Sequence, residues 1–243
     1  RSEAARAVNL SMVSTSYLSG HGKIDGAGGF SNTGLLRQAG GSLNLAAQGS
    51  NINTGIWELL DGRGLVLSGG NLLNSGEMRL NGDVVSGSAK LTNASAGTLS
   101  GRGVVTAAFQ NDGRLVVDTG SFSVVSNFNN TGQVLLGSAA ASLAGGTIAN
   151  SGRILGQGQV SNAIVNTGTV GAVGGTLTLE GSLTNNGLVS AGLGGTVLVN
   201  RGLASNAGKI QLAGGAFDNN GKAMTNEAGA TINGFGSLSG GLL

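Results

Sequence analysis

Cysteine and proline are absent from this 243-residue chain, and histidine occurs only once. The absence of cysteine excludes a disulfide framework and thiol chemistry. The absence of proline and of a G-X-Y period excludes a collagen, although 48 residues are glycine. No apolar run approaches the ~18 residues of a membrane-spanning helix, and the thirteen Lys and Arg residues are scattered singly. We therefore expect no membrane span and no nucleic-acid partner.

Aromatic and charged residues are also scarce, at 3% and 10% of the chain, whereas 40% of the residues are hydrophobic. Val, Ile and Leu recur at regular places, which is not typical of a disordered chain. Because bulky aromatic side chains are rare, the core has to be built from small aliphatic side chains. This composition favours a thin interior that is repeated many times over one thick globular core.

The dominant feature of the sequence is an internal repeat that carries a turn glycine. Ten such glycines follow one another at spacings of 16 to 21 residues. They are Gly34, Gly55, Gly76, Gly97, Gly113, Gly132, Gly152, Gly168, Gly187 and Gly208. A second glycine follows five to seven residues later in all ten repeats, which composition alone does not explain.

Two further columns accompany the turn glycine. Asparagine stands two positions before it in nine of the ten repeats. This asparagine column consists of Asn32, Asn53, Asn74, Asn111, Asn130, Asn150, Asn166, Asn185 and Asn206. An apolar residue always stands two positions after it, and this core column consists of Leu36, Trp57, Met78, Leu99, Leu115, Val134, Ile154, Val170, Val189 and Ile210. We predict that both columns are structural.

The asparagines have a physical use in a stack of repeats. Asparagine tolerates the left-handed backbone of a tight turn, and its amide reaches local backbone groups. Where turns stack on one another, the amides can also bond to each other in a ladder. The alternative is N-glycosylation, for which the chain offers sequons only at Asn9, Asn93 and Asn129.

A period near 20 that is divided into short alternating runs by Gly and Asn is typical of a β-solenoid. In "GGTLTLEGSLTNNG", Leu177 and Leu179 show the two-residue period of a strand. No sustained 3.6-residue period predicts a helix. We therefore predict an all-β fold, a single-stranded parallel β-helix (β-solenoid) with about 19–21 residues per coil and about 11–12 coils.

The ends of the chain bear on its organisation and its partners. Residues 1–15 are predicted to form an N-terminal lead-in or cap, either a short helix or an inter-subunit segment, and residues 16–243 the β-solenoid repeat domain. The chain begins at Arg1 and stops within the pattern at "SLSGGLL", so we expect unpaired strand edges at its end. The expected partners are therefore other copies of the chain or the rest of a longer chain, with a host or matrix surface as a further candidate.

Few residue combinations offer chemistry. His21 has only Asp25 nearby as a second metal ligand, and we interpret it as a turn residue. The densest acidic region contains Glu58, Asp61, Glu77 and Asp83, with arginines interleaved. Cleavage of a glycan needs clustered carboxylates, but a solvated, charge-balanced face explains this region as well, and we favour it. We predict no catalytic residue, no cofactor and no metal site.

The repeat units "FNNTGQVLLG", "IANSGRILGQG" and "IVNTGTVGAVGGTLTL" belong to a pattern that covers about residues 17–240. In this pattern the chain resembles the β-helical repeat regions of large secreted bacterial surface proteins, namely filamentous-haemagglutinin-like adhesins and the passenger domains of autotransporters. The resemblance implies a right-handed parallel β-helix, export from a Gram-negative cell, and an extracellular or cell-surface location.

Three functions are compatible with these observations. The first is a non-catalytic structural β-solenoid of a secreted bacterial cell-surface protein, acting as an adhesin stalk or extracellular scaffold. The second is a self-assembling subunit of an extracellular filament or sheath, built by end-to-end stacking of solenoids. The third, a glycan-active enzyme on a β-helix, rests only on an analogy of fold.

Overall fold

The protein is described by a computed structural model, which covers residues 5–6, 10–12, 17–60 and 62–243. Within these residues the fold is all-β and contains no helix. Parallel strands stack as a β-solenoid of about 11 turns with about 20 residues per coil. The predicted fold class is therefore confirmed, whereas the right-handed sense implied by the resemblance stays a prediction.

The chain divides into two compact units, Arg1–Val116 with Phe122–Ser126, and Val117–Ser121 with Asn127–Leu243. The strands of the first unit are β1 (Ala5–Arg6), β2 (Leu10–Met12), β3 (Tyr17–Asp25), β4 (Phe30–Asn32), β5 (Leu35–Leu45), β6 (Asn51–Asn53), β7 (Ile56–Leu59), β8 (Leu65–Leu67), β9 (Leu72–Asn74), β10 (Glu77–Gly87), β11 (Leu91–Asn93), β12 (Thr98–Val105) and β13 (Phe109–Asn111). Two strands, β14 (Arg114–Val117) and β15 (Gly120–Val124), contribute residues to both units. The strands of the second unit are β16 (Phe128–Asn130), β17 (Gln133–Gly145), β18 (Ile148–Asn150), β19 (Arg153–Val160), β20 (Ile164–Asn166), β21 (Thr169–Leu179), β22 (Leu183–Asn185), β23 (Leu188–Ala191), β24 (Thr196–Val199), β25 (Ser205–Asn206), β26 (Lys209–Asp218), β27 (Thr225–Asn226) and β28 (Thr231–Ser239).

Each unit contains strands of two parallel sheets. In the first unit one sheet runs β1-β3-β5-β7-β10-β12-β14, with β8 beside β5 and β10, and the other runs β2-β4-β6-β9-β11-β13. In the second unit the orders are β17-β19-β21-β23-β26-β28, with β24 beside β21 and β26, and β16-β18-β20-β22-β25-β27. Because every coil repeats its predecessor, each strand pairs with its equivalent one coil along, so that Leu36 lies opposite Trp57 and Val134 lies opposite Ile154.

The core is a narrow apolar strip inside each coil. Strands alternate between inward and outward side chains, as the two-residue period of a strand requires, and all ten residues of the core column are at most 2% exposed. In the first unit Trp57 packs edge to face on Phe30, with ring centroids 5.6 Å apart. Such aromatic pairs add about 1 kcal/mol to the free energy of burial.

The N-terminal segment is described only in part. Two short strands lie within residues 1–15, with Ala5 opposite Ile24 and Leu10 opposite Phe30. The remaining residues of 1–15, and residue 16, lie outside the described residues. The lead-in or cap, and the domain boundary at residue 16, therefore stay predictions.

Candidate functional site

The asparagine column of the first unit forms a continuous ladder of buried side-chain amides. Each Nδ2 donates a hydrogen bond to the Oδ1 of the asparagine one coil along. The distances are 2.7 Å for Asn32 to Asn53, 2.7 Å for Asn53 to Asn74, 2.8 Å for Asn74 to Asn93 and 2.8 Å for Asn93 to Asn111. All donors point toward the C-terminal end, so the amide dipoles are aligned and polarise one another.

The second unit contains an equivalent ladder. It runs through Asn130, Asn150, Asn166, Asn185, Asn206 and Asn226, with Nδ2 to Oδ1 distances of 2.6 to 2.8 Å. The same Nδ2 group also donates to the main-chain carbonyl of the residue after the turn glycine in the next coil, as from Asn166 to Leu188 at 3.2 Å. One side chain thus satisfies polar groups in two neighbouring turns, which a buried turn requires.

Asn93 is a member of the ladder that the repeat pattern misses. It stands four residues before Gly97 rather than two, because Ala94, Ser95 and Ala96 widen the turn, which is closed by a hydrogen bond from the Gly97 amide to the Ala94 carbonyl. The strand register places Asn93 opposite both Asn74 and Asn111. Its side chain is fully buried, so the sequon at this position is not accessible to a glycosylating enzyme once the chain has folded.

Charged side chains form one network on the outer face of the first unit. Arg37, Glu58 and Arg79 occupy equivalent positions in three successive coils. The Glu58 carboxylate accepts from Arg37 at 2.7 Å and from Arg79 at 2.9 Å, and Arg79 also pairs with Glu77 at 2.7 Å. The Glu58 side chain is only 13% exposed. The hydrogen bond from Arg37 is the main cause that lowers the pKa of Glu58, and partial burial opposes it.

The surroundings of Glu58 do not favour the role of a proton donor. A general acid in glycan cleavage needs a raised pKa, whereas the pKa of Glu58 is lowered. Asp83 is fully buried and accepts hydrogen bonds from the main-chain amides of Arg63 and Asn81, each at 3.1 Å. Asp61 lies outside the described residues. Among the described acids of this region, the structure therefore brings Glu58 and Glu77 together through Arg79, and it places Asp83 within β10, where the strand register shifts between Asn81 and Asp83.

Glu58→Gln is expected to lower the free energy of unfolding by about 1 kcal/mol, because the amide forms weaker bonds to both arginines. The folded-state pKa of Glu58 lies below its unfolded value, so the ionised carboxylate contributes stability above the unfolded pKa, and that contribution is lost as the pH falls through the folded pKa. Urea unfolding of the wild type and Glu58→Gln across a pH series would measure this. A difference that persists unchanged at the acid end would contradict the ion-pair explanation.

The two candidate metal ligands, His21 and Asp25, contact different groups. The His21 ring lies against the glycine pair of the next coil, because a Cβ built on Gly41 would be 2.8 Å from it, and its Nδ1 lies 3.3 Å from the Ala39 carbonyl. Asp25 pairs with Lys23 at 2.5 Å. Over the described ranges, no group of three or more His, Cys, Asp or Glu side chains is placed to hold a metal ion.

Among the described residues, each unit has a shallow groove on its surface. The groove of the first unit, about 590 Å³, is lined by neutral residues that include Gln48, Asn71 and Leu73. The groove of the second unit, about 360 Å³, is lined by Gln159, Thr176, Thr178 and Glu180, among others. Glu180 already accepts a hydrogen bond from Asn200 at 2.6 Å. These groups can hydrogen-bond a polar ligand, but neither lining supplies a pair of carboxylates for acid–base chemistry.

In the part of the chain that the structure describes, no helix is long and apolar enough to cross a membrane. In comparisons with protein-family models, with curated proteins and with solved structures, nothing matches this chain. The fold and the geometry of its residues therefore carry the functional argument alone.

Proposed function

We propose that this chain is a non-catalytic structural element, a stalk or scaffold of a secreted bacterial cell-surface protein. The observation that carries the proposal is the use made of the polar residues that repeat. The asparagine that recurs at a buried position joins one coil to the next through its side chain. The densest group of charges likewise joins Arg37, Glu58 and Arg79 of three successive coils. Such contacts stabilise an uninterrupted stack of coils, which is the property that a stalk or scaffold needs.

A surface location is supported by the resemblance in repeat pattern, and the absence of cysteine is compatible with any compartment. The test is immunogold labelling of bacterial cells that produce the protein, with an antibody raised against the purified chain. Labelling of intact cells is the expected result. Labelling that occurs only after the cells are permeabilised would overturn the proposed location.

A stalk has to tolerate changes in its number of coils, and this chain should tolerate them. In a repeat protein each coil contacts only its neighbours. Deletion of residues 169–187, one complete coil, joins Gly168 to Leu188 and preserves the register, because Leu188 and Thr169 are equivalent positions. We expect the shortened protein to keep its β-sheet circular dichroism and a cooperative unfolding transition.

Deletion of residues 169–178, about half a coil, is the matched control. It would place inward residues at outward positions along the following strands, and we expect it to abolish cooperative unfolding. If the full-coil deletion were as damaging as the half-coil deletion, the repeat would not be the unit of construction and the stalk proposal would lose its physical basis.

A second candidate function, the self-assembling filament subunit, is favoured by one observation. The inward positions of β28 are less covered than their partners in β26, since Ile232 and Leu238 are partly exposed whereas Ile210 and Phe217 are buried. No described strand pairs with the other edge of β28. A strand edge of this kind is a template for a further strand, whether a second copy or a continuation of the same chain supplies it.

Negative-stain electron microscopy over a concentration series separates the two functions. Discrete particles of one size at every concentration would support the stalk. Uniform fibres that lengthen with concentration would support the filament subunit and demote the stalk.

A further inference from the structure

The second unit carries an exposed apolar patch that neither proposed function uses. We call the glycine-containing segment that follows the core-column position of each coil the arc. In four successive coils the arc exposes one apolar residue to solvent, namely Val173, Leu193, Ala213 and Phe235. Val173 is 62%, Leu193 83% and Phe235 72% exposed. Most exposed large apolar residues on a soluble protein are scattered singly, so a cluster in consecutive coils requires an explanation. We refer to these four residues as the coil-arc patch.

Three residues of the patch, Leu193, Ala213 and Phe235, are neighbours in the structure. Ala213 lies directly opposite Phe235 in the pairing of β26 with β28. A Cβ built on Gly214 would lie 3.0 Å from Leu193 Cδ1 and 3.2 Å from Phe235 Cε2. The side chains of Leu193 and Phe235 therefore approach each other over Gly214, which lies in the coil between them. The absence of a side chain at Gly214 is what allows this approach.

The surroundings of the patch are uncharged. Residues 171–176, 190–196, 211–216 and 233–237 contain no Asp, Glu, Lys, Arg or His. The equivalent arcs of the first unit are different, since they carry the exposed Arg63 and Arg102. A charged partner would therefore meet no complementary charge at the coil-arc patch. An uncharged apolar partner can dock there without the free-energy cost of removing water from charged groups.

We propose that the coil-arc patch binds the same patch of a second copy of this chain, side by side, in a twofold-symmetric dimer. A twofold interface uses one surface in both copies, and here it would place Leu193 of each copy against Phe235 of the other. Both contacts can form in register because the two copies share the coil repeat of about 4.8 Å. This lateral association goes beyond the stalk proposal and differs from the end-to-end stacking of a filament.

The area of the patch sets the strength of the dimer. The exposed surface of the four residues is on the order of 400 Å², so the two copies would bury roughly 800 Å² in total. Stable interfaces bury at least about 1,200 Å². The dimer is therefore reversible and depends on concentration, and its two copies run in opposite directions, because Leu193 of one copy meets Phe235 of the other.

Sedimentation velocity over a concentration series tests the proposal with two charge variants, Leu193→Glu and Phe235→Lys. For the wild-type chain we expect the weight-average mass to rise from that of a monomer toward that of a dimer. Each variant alone buries unpaired charges and should shift the midpoint at least ~10-fold higher in concentration. An equimolar mixture of the two variants should restore dimers, because Glu at position 193 then meets Lys at position 235 of the other copy.

The matched control is Val165→Glu. Val165 is also an exposed apolar residue of the second unit, at 43%, but it lies on β20 in the other sheet. This variant should dimerise like the wild type, and circular dichroism should show that all three variants are folded. A wild type that stays monomeric throughout, an equal effect of Val165→Glu, a mixture that does not recover, or assemblies larger than a dimer that are insensitive to Leu193→Glu would each overturn the proposal.

Discussion

Replacement of Asn166 by alanine is expected to lower the free energy of unfolding by about 4 kcal/mol. The Asn166 side chain is fully buried, and it accepts from Asn150 at 2.7 Å and donates to Asn185 at 2.8 Å. Its loss removes the acceptor of one amide, the donor of another and the donor to the Leu188 carbonyl. Each buried polar group left without a partner costs about 1–3 kcal/mol. Urea unfolding followed by far-ultraviolet circular dichroism measures the change.

The matched control is Asn186→Ala in the equivalent turn of the next coil. Asn186 is exposed, so its side chain can exchange protein contacts for water, and we expect an effect within about 0.5 kcal/mol. Equal effects of Asn166→Ala and Asn186→Ala would show that the turn matters but the ladder does not.

Asn166→Asp adds a dependence on pH to the same position. A carboxylate can accept from Asn150, but it cannot donate to Asn185, and burial disfavours its charge, so the pKa of the new carboxyl should be raised in the folded state. Such a group destabilises the fold most at neutral pH, and the penalty shrinks as the pH falls through the folded-state pKa. A penalty that instead grew toward acid pH would contradict a buried position for this side chain.

The repeat in the sequence is sufficient to predict the fold class, because each coil places the same types of residue at the same positions in the same order. An apolar residue two positions after a turn glycine is inward in every coil, as at Ile154 and Val170, and such pairs lie opposite one another. A two-residue period fixes the face of a strand without any knowledge of its partner. Strand existence and coil length therefore follow from local pattern.

Features that depend on insertions or on register between coils could not be predicted in the same way. Asn93 was missed because its turn is wider, although the fold keeps it in line with Asn74. The pairing of Arg37 with Glu58 joins residues 21 positions apart, and it becomes visible only when the register is known. Gln38 is a polar residue at an inward position, and it is accommodated because its amide donates to the Gly64 carbonyl at 2.6 Å.

The coil-arc patch was also not evident from the sequence. Val173 and Leu193 stand beside glycine pairs in arcs that resemble every other arc of the chain, and a pattern of glycines does not reveal which arcs are covered. The division into two units has no counterpart in the composition near residues 117–126 either. Both features depend on contacts between residues of different coils, which no single repeat reveals.

Replacement of Gly168 by alanine is expected to be among the most damaging single changes, with a loss of at least ~3 kcal/mol in the free energy of unfolding. A Cβ built on Gly168 would overlap the carbonyl oxygen of Gly152 in the preceding coil. That carbonyl accepts the hydrogen bond from the Thr169 amide at 2.8 Å, so it cannot move away without breaking a contact that joins the two coils. Because the three nearest atoms all belong to the backbone of Ser151 and Gly152, no side-chain rotation relieves the clash. Urea unfolding measures the loss.

Gly192→Ala is the matched control within the same unit. The nearest atom to a Cβ at this position is the Ala172 carbonyl oxygen at 3.8 Å, an ordinary contact, and Gly192 is not among the residues with positive φ. Alanine there reduces the freedom of the unfolded chain, so we expect a gain of about 0.5 kcal/mol or no change. If Gly168→Ala were tolerated as well as Gly192→Ala, the coils would not be packed backbone to backbone at their turns. The turn glycine would then owe its regular spacing to turn conformation alone, and the close stacking that the asparagine ladders require would need another explanation.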